Sequence, residues 1–463
     1  MVIVMACSSS GMERLGICRA PSLAVIKSGK EANVTSSKER LRRVIFMLGL
    51  IVAAEAIFGL PFHIARFFRP TLLAVLGFTN TELGVAMGIY GVVAMLAYFP
   101  GGPLADRFSA RKLMAASLIA TSLGGLYFAT FPGVLGTQIV FAWWGATTIL
   151  LFWAALIRAT REWGGREEQG RAYGLLDGGR GLLAAVIGSA AVFLFAALLP
   201  EDPASATLAE RTAALTRVVY VYTATTFLAG IFVWFAIPDS SSDASNQSAH
   251  QRIRWADVRK VFRLRSIWMQ STIVICAYAA FKGIDNYSLY AAQAWGMDEV
   301  AASKVSALAQ WTRPIAALGA GLLGDRVRGS LVIAGCFLAL TCIFLFFGIA
   351  PAFPGAMWIL FANVLVSAAA VFGLRGVYFA LFEEASVPRA FTGTAAGLVS
   401  VVGFSPEVFV APIAGWLLDR SPGIQGHQHV FLFLSGFAVL GLIVSLEFLR
   451  TTKRNGWGVK GVE

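Results

Sequence analysis

Ten ionisable side chains stand inside stretches otherwise apolar enough to cross a bilayer: Glu55, His63 and Arg66, then Asp177 and Arg180, Lys282 and Asp285, Arg313, Arg375 and Glu407. Leaving His63 aside, five are basic and four acidic. A charge at the centre of a membrane helix costs about 2.5–3.5 kcal/mol on insertion scales, so it persists where it is paired or lines a hydrated path. The chemistry open to such a set is the binding of a charged solute and the passage of a proton. The four histidines, His63, His250, His427 and His429, offer no acid–base constellation beside a nucleophile. His427 and His429, in an expected outer loop, supply too few ligands for a zinc site. No enzyme, metal or cofactor is therefore expected.

Spacing refines these roles. Asp177 and Arg180 are three residues apart and share a helical face. They are either a self-neutralising pair or, in the second reading, leave Arg180 to touch substrate. The glycines around them, Gly174, Gly178, Gly179 and Gly181, permit close helix packing. Lys282 follows Tyr278 by four residues and precedes Asp285 by three. Arg313 precedes Pro314 and Glu407 follows Pro406, each proline freeing a backbone carbonyl and bending its helix. Arg313 and Glu407 either pair with each other or leave Glu407 to carry a proton. Arg375 is expected to pair with Glu383 or Glu384 as a structural gate. The candidate binding set is Arg66, Lys282, Arg180, Arg313, Tyr278 and His63; the coupling or charge-pair set is Glu55, Asp177, Asp285 and Glu407. Trp143, Trp144, Trp153 and Trp295 are expected as interface anchors or packing, with Trp311, two residues before Arg313, as an exception.

The elements that must hold these groups are helices. The 463-residue chain is 57% hydrophobic and 14% charged, against roughly a quarter charged in soluble domains. Spans are expected at about 44–67, 82–101, 113–131, 135–157, 172–198, 218–236, 269–294, 302–323, 331–350, 356–381, 393–417 and 428–449. The fold class is thus an all-α membrane protein: twelve transmembrane helices in two six-helix bundles, 44–237 and 269–450. Residues 238–268 form a cytoplasmic linker, Ser/Asp-rich and then basic, ending in a surface amphipathic helix. Residues 1–43 are expected as a disordered cytoplasmic tail, a misassigned start or a targeting extension, and 451–463 as a second tail. Most of the 38 Lys and Arg fall in alternate loops, which places both termini in the cytoplasm and accounts for the net charge of +12 without nucleic acid. The five cysteines lack paired metal-ligand spacing and are assigned to packing.

Two loops repeat. G-G-P-L-A-D-R-F-S-A-R-K (101–112) has a shortened copy, G-L-L-G-D-R-V-R-G (321–329). Gly102 precedes Asp106 as Gly321 precedes Asp325, so the halves superpose at an offset of about 219 residues. Lys282 then falls on His63 and Asp285 on Arg66, which sets cationic groups of the first and seventh helices across a central cavity.

Over residues 44–450 this pattern resembles the major facilitator superfamily, with Ser109 where that loop usually has Gly. The resemblance implies a clasp between the halves built from Gly102, Asp106, Arg107, Arg111, Gly321, Asp325 and Arg326, with the helix beginning near Thr392 and Gly393 as its partner. H-I-A-R-F-F-R-P-T-L-L-A-V-L-G-F-T-N-T-E-L-G and K-G-I-D-N-Y are similar to the organophosphate/phosphate antiporter branch. That similarity implies phosphate binding by Arg66, or His63 without a gap, and Lys282. The basic pattern also resembles nitrate/nitrite porters, whose Gly-Asn signature is missing, and Phe141 stands where drug/proton antiporters carry Arg. The function so implied is secondary transport of a small anionic organic solute by a monomer in the cell (inner) membrane, in contact with lipid and coupled to a proton or an exchanged anion. The alternatives are an inorganic anion, or a neutral or cationic solute coupled to protons. A non-transporting sensor on the same fold is a further class, which the linker and tails do not favour.

Overall fold

The structure, a computed structural model, describes residues 24–165, 168–239, 264–351, 355–379, 381–384 and 392–454. It divides into two compact units, Met1–Val44 and Ile45–Glu463. The first is described as helical backbone from Ala24, inside the stretch expected to be a tail. The expected surface helix of the linker lies outside the described residues.

The long helices are α1 (Lys38–Phe67), α2 (Asn80–Arg107), α3 (Ala110–Phe128), α4 (Val134–Gly164), α5 (Arg171–Ala197), α6 (Leu208–Ala236), α7 (Arg265–Trp295), α8 (Glu299–Arg326), α9 (Gly329–Ile349), α10 (Met357–Val377), α11 (Gly397–Arg420) and α12 (Ile424–Thr452). Ten of them are long and apolar enough to cross a membrane. The other two, α3 and α8, are long but charged. Arg111 and Lys112 fall in the first turn of α3, and α8 carries Lys304, Arg313 and Arg326.

Local chemistry repeats between the halves. The short helix Arg69–Leu76 after α1 ends on left-handed Gly77 (φ 66°), and α7 ends on left-handed Gly296 (φ 65°), a backbone that costs a side-chain-bearing residue strain. Two residues later Thr79 caps α2 in a capping box with Glu82, while Asp298 caps α8 through the Val300 and Ala301 N–H groups. Both central helices lose regularity at the depth of their charges. α1 widens into a π turn over Gly59–His63, where Pro61 supplies no N–H, and α7 tightens into a 3₁₀ turn over Ile284–Asn286. α11 breaks after Gly403 and resumes at Pro406, leaving Glu407 in the first turn of its second segment.

Packing follows the same repeat: α2 lies on α11 and α8 on α5. The α2–α11 crossing is backbone to backbone. A β-carbon on Gly88 would stand 2.7 Å from the Val408 carbonyl oxygen, and one on Gly91 2.7 Å from Glu407 backbone atoms, so side chains are excluded there. The glycines expected to permit close packing of α5 are less uniform. Gly174 and Gly178 face open space, whereas Gly181 makes room for the Arg313 side chain, its missing β-carbon lying 3.2 Å from Arg313 Cγ.

Candidate functional site: a charged central cavity

A cavity of about 140 Å³ lies between the halves. Its walls include Phe58, Phe62, Tyr98, Trp153, Phe281 and Phe404, and its charges are Glu55, Arg66, Arg180, Lys282, Arg313, Arg375 and Glu407, beside His63 and Tyr278. The set expected to bind substrate therefore converges in one place.

The charges form two groups. Around Glu55 stand His63 Nε2 (3.2 Å), Arg180 Nε (3.5 Å) and Arg313 Nη1 (3.6 Å). Arg313 also reaches Asp177 at 3.4 Å. Around Asp285 and Glu407, Arg66 Nε donates to Asp285 (2.7 Å), and Lys282 Nζ lies 2.8 Å from Asp285 and 2.9 Å from Glu407. The Tyr278 hydroxyl donates to Glu407 at 2.6 Å. Four cations also rest on aromatic faces: Lys282 on Phe62 (4.8 Å to the centroid), Arg66 on Phe281 (5.2 Å), Arg375 on the same Phe281 (4.1 Å) and Arg180 on Phe58 (5.6 Å).

Several sequence expectations are redirected. Asp177 and Arg180 do share a face, but each has an ion-pair partner on another helix, Arg180 with Glu55 of α1 and Asp177 with Arg313 of α8. Arg313 and Glu407 do not pair: the break at Ser405 and Pro406 turns Glu407 toward α7. Arg375 is not held by Glu384, which accepts from the Ser330 N–H at 3.0 Å and from its hydroxyl; Arg375 faces the cavity instead. The Glu383 side chain lies outside what the structure describes. Trp311 is outside the cavity lining and donates to Ser189 across the α5–α8 contact at 3.0 Å. Trp153, assigned to packing, lines the cavity. His427 is no loop residue: it is buried in the first turns of α12, 3.0 Å from Gln293 Oε1. Among the described residues no three His, Cys, Asp or Glu groups are placed to hold a metal.

One end of the cavity is shut by ties between the halves. Besides Arg66–Asp285, the Ser288 hydroxyl donates to the Arg66 carbonyl at 2.8 Å. Asp419, at the end of α11, accepts from the N–H groups of Asn80 (3.0 Å) and Thr81 (2.7 Å) and from both their side chains. Arg211, at the start of α6, lies 3.2 Å from Glu299 at the start of α8. Arg69 is also buried here, and its Nε and Nη2 have no hydrogen-bond partner; burial brings its guanidinium down to about 10, against the pull of Asp285 and Asp419. The sequence reading missed Asp419 and Arg69. The first had a visible signal, since G-W-L-L-D-R (415–420) is a third G-x-x-x-D-R.

The opposite end carries the repeated loops. Arg107 is exposed, and Gly102 has open space around its α-carbon. Arg111 pairs with Asp239 beyond α6 and lies 5.0 Å over Trp234. Arg158 of α4 donates to the Ala105 carbonyl at 2.7 Å, holding the last turn of α2. Gly321 and Arg326 lie in the last turns of α8. The side chains of Asp325 and of the Thr392–Ala396 stretch are outside what the structure describes, although a helix does begin at Thr392.

A helical bundle with a charged cavity between two repeats, shut at one end, has the construction of a membrane carrier. A profile of the Major Facilitator Superfamily matches residues 46–411, and the chain belongs to that family of transporters. It is 30% identical over 407 residues to the inner membrane protein YqcE of Escherichia coli (strain K12), covering 84% of this chain and 91% of that one. It is 25% identical over 406 residues to YihN, another inner membrane protein of the same organism, covering 87% and 94%. Among solved structures it is similar to a bacterial homolog of the human lysosomal transporter Spinster in an inward-facing, unoccupied conformation (TM-score 0.70, 12% identity, 90% and 99% covered). It is also similar to the nucleoside transporter NupG (TM-score 0.63, 15% identity, 89% and 99% covered). At these identities the structural likeness concerns the fold.

Proposed function

We propose that the protein is a secondary active transporter that carries a small organic anion across the inner membrane by rocking two six-helix bundles, 44–237 and 269–450, about the central cavity, with α3 and α8 also crossing the membrane and completing the twelve spans. The observation that carries this reading is the cavity itself: its charges come from both halves, and its five lining cations are answered by four carboxylates, Glu55 and Glu407 in the lining and Asp177 and Asp285 outside it, when His63 is counted neutral. One positive charge in excess suits an anionic cargo. With the basic loops inside, the Asp106 end is cytoplasmic, and the cavity wall, running from Arg66 and Lys282 toward Tyr98 and Trp153, faces that side.

In this scheme Glu55, Asp177, Asp285 and Glu407 hold the cations in place, and Glu407, shared between Lys282 and Tyr278, takes the coupling proton. Arg180, Arg313 and His63 line the path. The clasp of Asp106 and Asp325 with the starts of the neighbouring helices holds the cytoplasmic end in the alternate state, in which the ties at Asp285 and Asp419 are released. A second reading, a neutral or cationic solute coupled to protons, is favoured by the four carboxylates. Purified protein in liposomes, offered gluconate, glycerol phosphate, nitrate, neutral polyols and organic cations, separates the two. Anion uptake or exchange supports the first, and cation or polyol flux without anion flux refutes it.

A further inference from the structure

Four of the five cavity cations are already committed to carboxylates. Arg66 has Asp285, Lys282 has Asp285 and Glu407, Arg180 has Glu55, and Arg313 has Glu55 and Asp177. Arg375 differs from them all. Among the described residues it has no carboxylate within ion-pair range, and its buried Nη1 has no hydrogen-bond partner. The Phe281 ring covers the guanidinium at 4.1 Å, and Tyr278 stands at 5.8 Å with its hydroxyl already given to Glu407. A ring stacked on one face leaves the edge N–H groups of a guanidinium to find an acceptor elsewhere. A buried donor without one is costly, more so when charged. The space that Arg375 borders is the cavity.

We propose that Arg375 is the residue that recognises the substrate, gripping one oxyanion group through its N–H edge while the organic body lies against Phe58, Phe62, Trp153 and Phe404. This rests on the anion-transport reading and gives the expected phosphate ligands other roles: Arg66 is tied to Asp285 across the halves, and Lys282 is held by Asp285 and Glu407 of its own half. The ligand class follows from the charge count. With all four carboxylates ionised a single negative charge brings the set to neutrality, and a guanidinium edge matches a carboxylate or singly charged phosphate ester bidentately. The cargo is therefore an organic monoanion with a ring or apolar body that the aromatic walls of the cavity can cover.

The test uses the full chain in lipid nanodiscs, with tryptophan fluorescence as the readout, since Trp153 lines the site, and uptake into liposomes in parallel. The probes are benzoate and gluconate, their neutral counterparts benzyl alcohol and sorbitol, the dianion succinate, and inorganic phosphate. The wild type should bind at least one monoanion in preference to its neutral counterpart and to the dianions. Arg375→Gln should weaken that binding tenfold or more with an unchanged melting temperature. Arg375→Lys should keep the preference for anions but lose affinity, and it serves as the second variant if the glutamine protein does not fold. Unchanged affinity in both variants, with anion flux intact, would overturn the assignment and leave the transport reading standing. No anion binding or flux in the wild type would bring down both. A preference for succinate would overturn the one-charge ligand class.

Discussion

Arg66 and Asp285 form a 2.7 Å ion pair across 219 residues, and 219 is also the offset that superposes the two halves. A residue touches its own repeat equivalent only near the axis that relates the repeats, as in an isologous contact. The neighbouring positions show the same crossing: Phe62 is the equivalent of Phe281, Lys282 lies over Phe62, and Arg66 over Phe281. Each half thus offers its aromatic ring to a cation of the other.

That relationship predicts an asymmetry in mutant stability. Asp285 serves two cations, so Asp285→Asn removes the charge that faces both and leaves one carbonyl oxygen to accept from one of them, whereas Arg66→Gln leaves Asp285 with Lys282. Breaking a buried pair from one side typically costs about 3–5 kcal/mol. Asp285→Asn should reach that range and Arg66→Gln should fall below it, with the double variant costing less than the sum. Unfolding of the four proteins in detergent measures this; additive effects would contradict a direct pair.

Asp419 predicts a change of state more than of stability. It accepts four hydrogen bonds from Asn80 and Thr81, two of them from backbone N–H groups at the start of α2, where negative charge is also favoured by the helix dipole. Asp419→Ala should loosen this end of the bundle. Spin labels on exposed Ala74 and Gln425 should report a longer-distance population than in the parent, and an unchanged distribution would mean that Asp419 does not hold the end shut.

The sequence revealed where charge sits along each helix, and all ten ionisable groups do converge on the cavity or its edge. It did not reveal who pairs with whom. Helical spacing assumes 3.6 residues per turn, but the π turn at Gly59–His63, the 3₁₀ turn at Ile284–Asn286 and the break before Pro406 each rotate the residues beyond them. Those rotations, together with the glycine-lined crossing of α2 on α11, send Glu407 to Lys282 in place of Arg313. Of the two partners expected for Arg375, Glu384 is lost for a related reason: it satisfies the Ser330 N–H at the start of α9, a demand invisible in spacing, while the Glu383 side chain lies outside the described residues.

Glu407→Gln separates structure from coupling. The amide carbonyl still accepts from Tyr278 or Lys282, so the protein should fold, but the side chain no longer takes up a proton. Exchange of labelled substrate between equal pools should persist, while accumulation driven by a proton gradient should fall close to background. Gradient-driven accumulation at the parent's level would assign the proton elsewhere.

Asp106→Asn tests the repeated loop. In this conformation Asp106 is exposed at the end of α2, while Arg158 holds the Ala105 carbonyl and Arg111 is tied to Asp239. The loop is thus rigidly mounted by α4 and α6, as a clasp that must meet another helix on closure requires. Charge facing a helix N-terminus contributes about 0.3–1 kcal/mol, and up to ~2 kcal/mol when partly buried. Losing it should shift the conformational balance without unfolding the chain. The variant should melt like the parent and lose most uptake, and Arg158→Ala, which unmounts the same turn, should lose uptake as well. Parent-level uptake by Asp106→Asn would reduce the loop to a solvated basic surface that orients the protein and does nothing else.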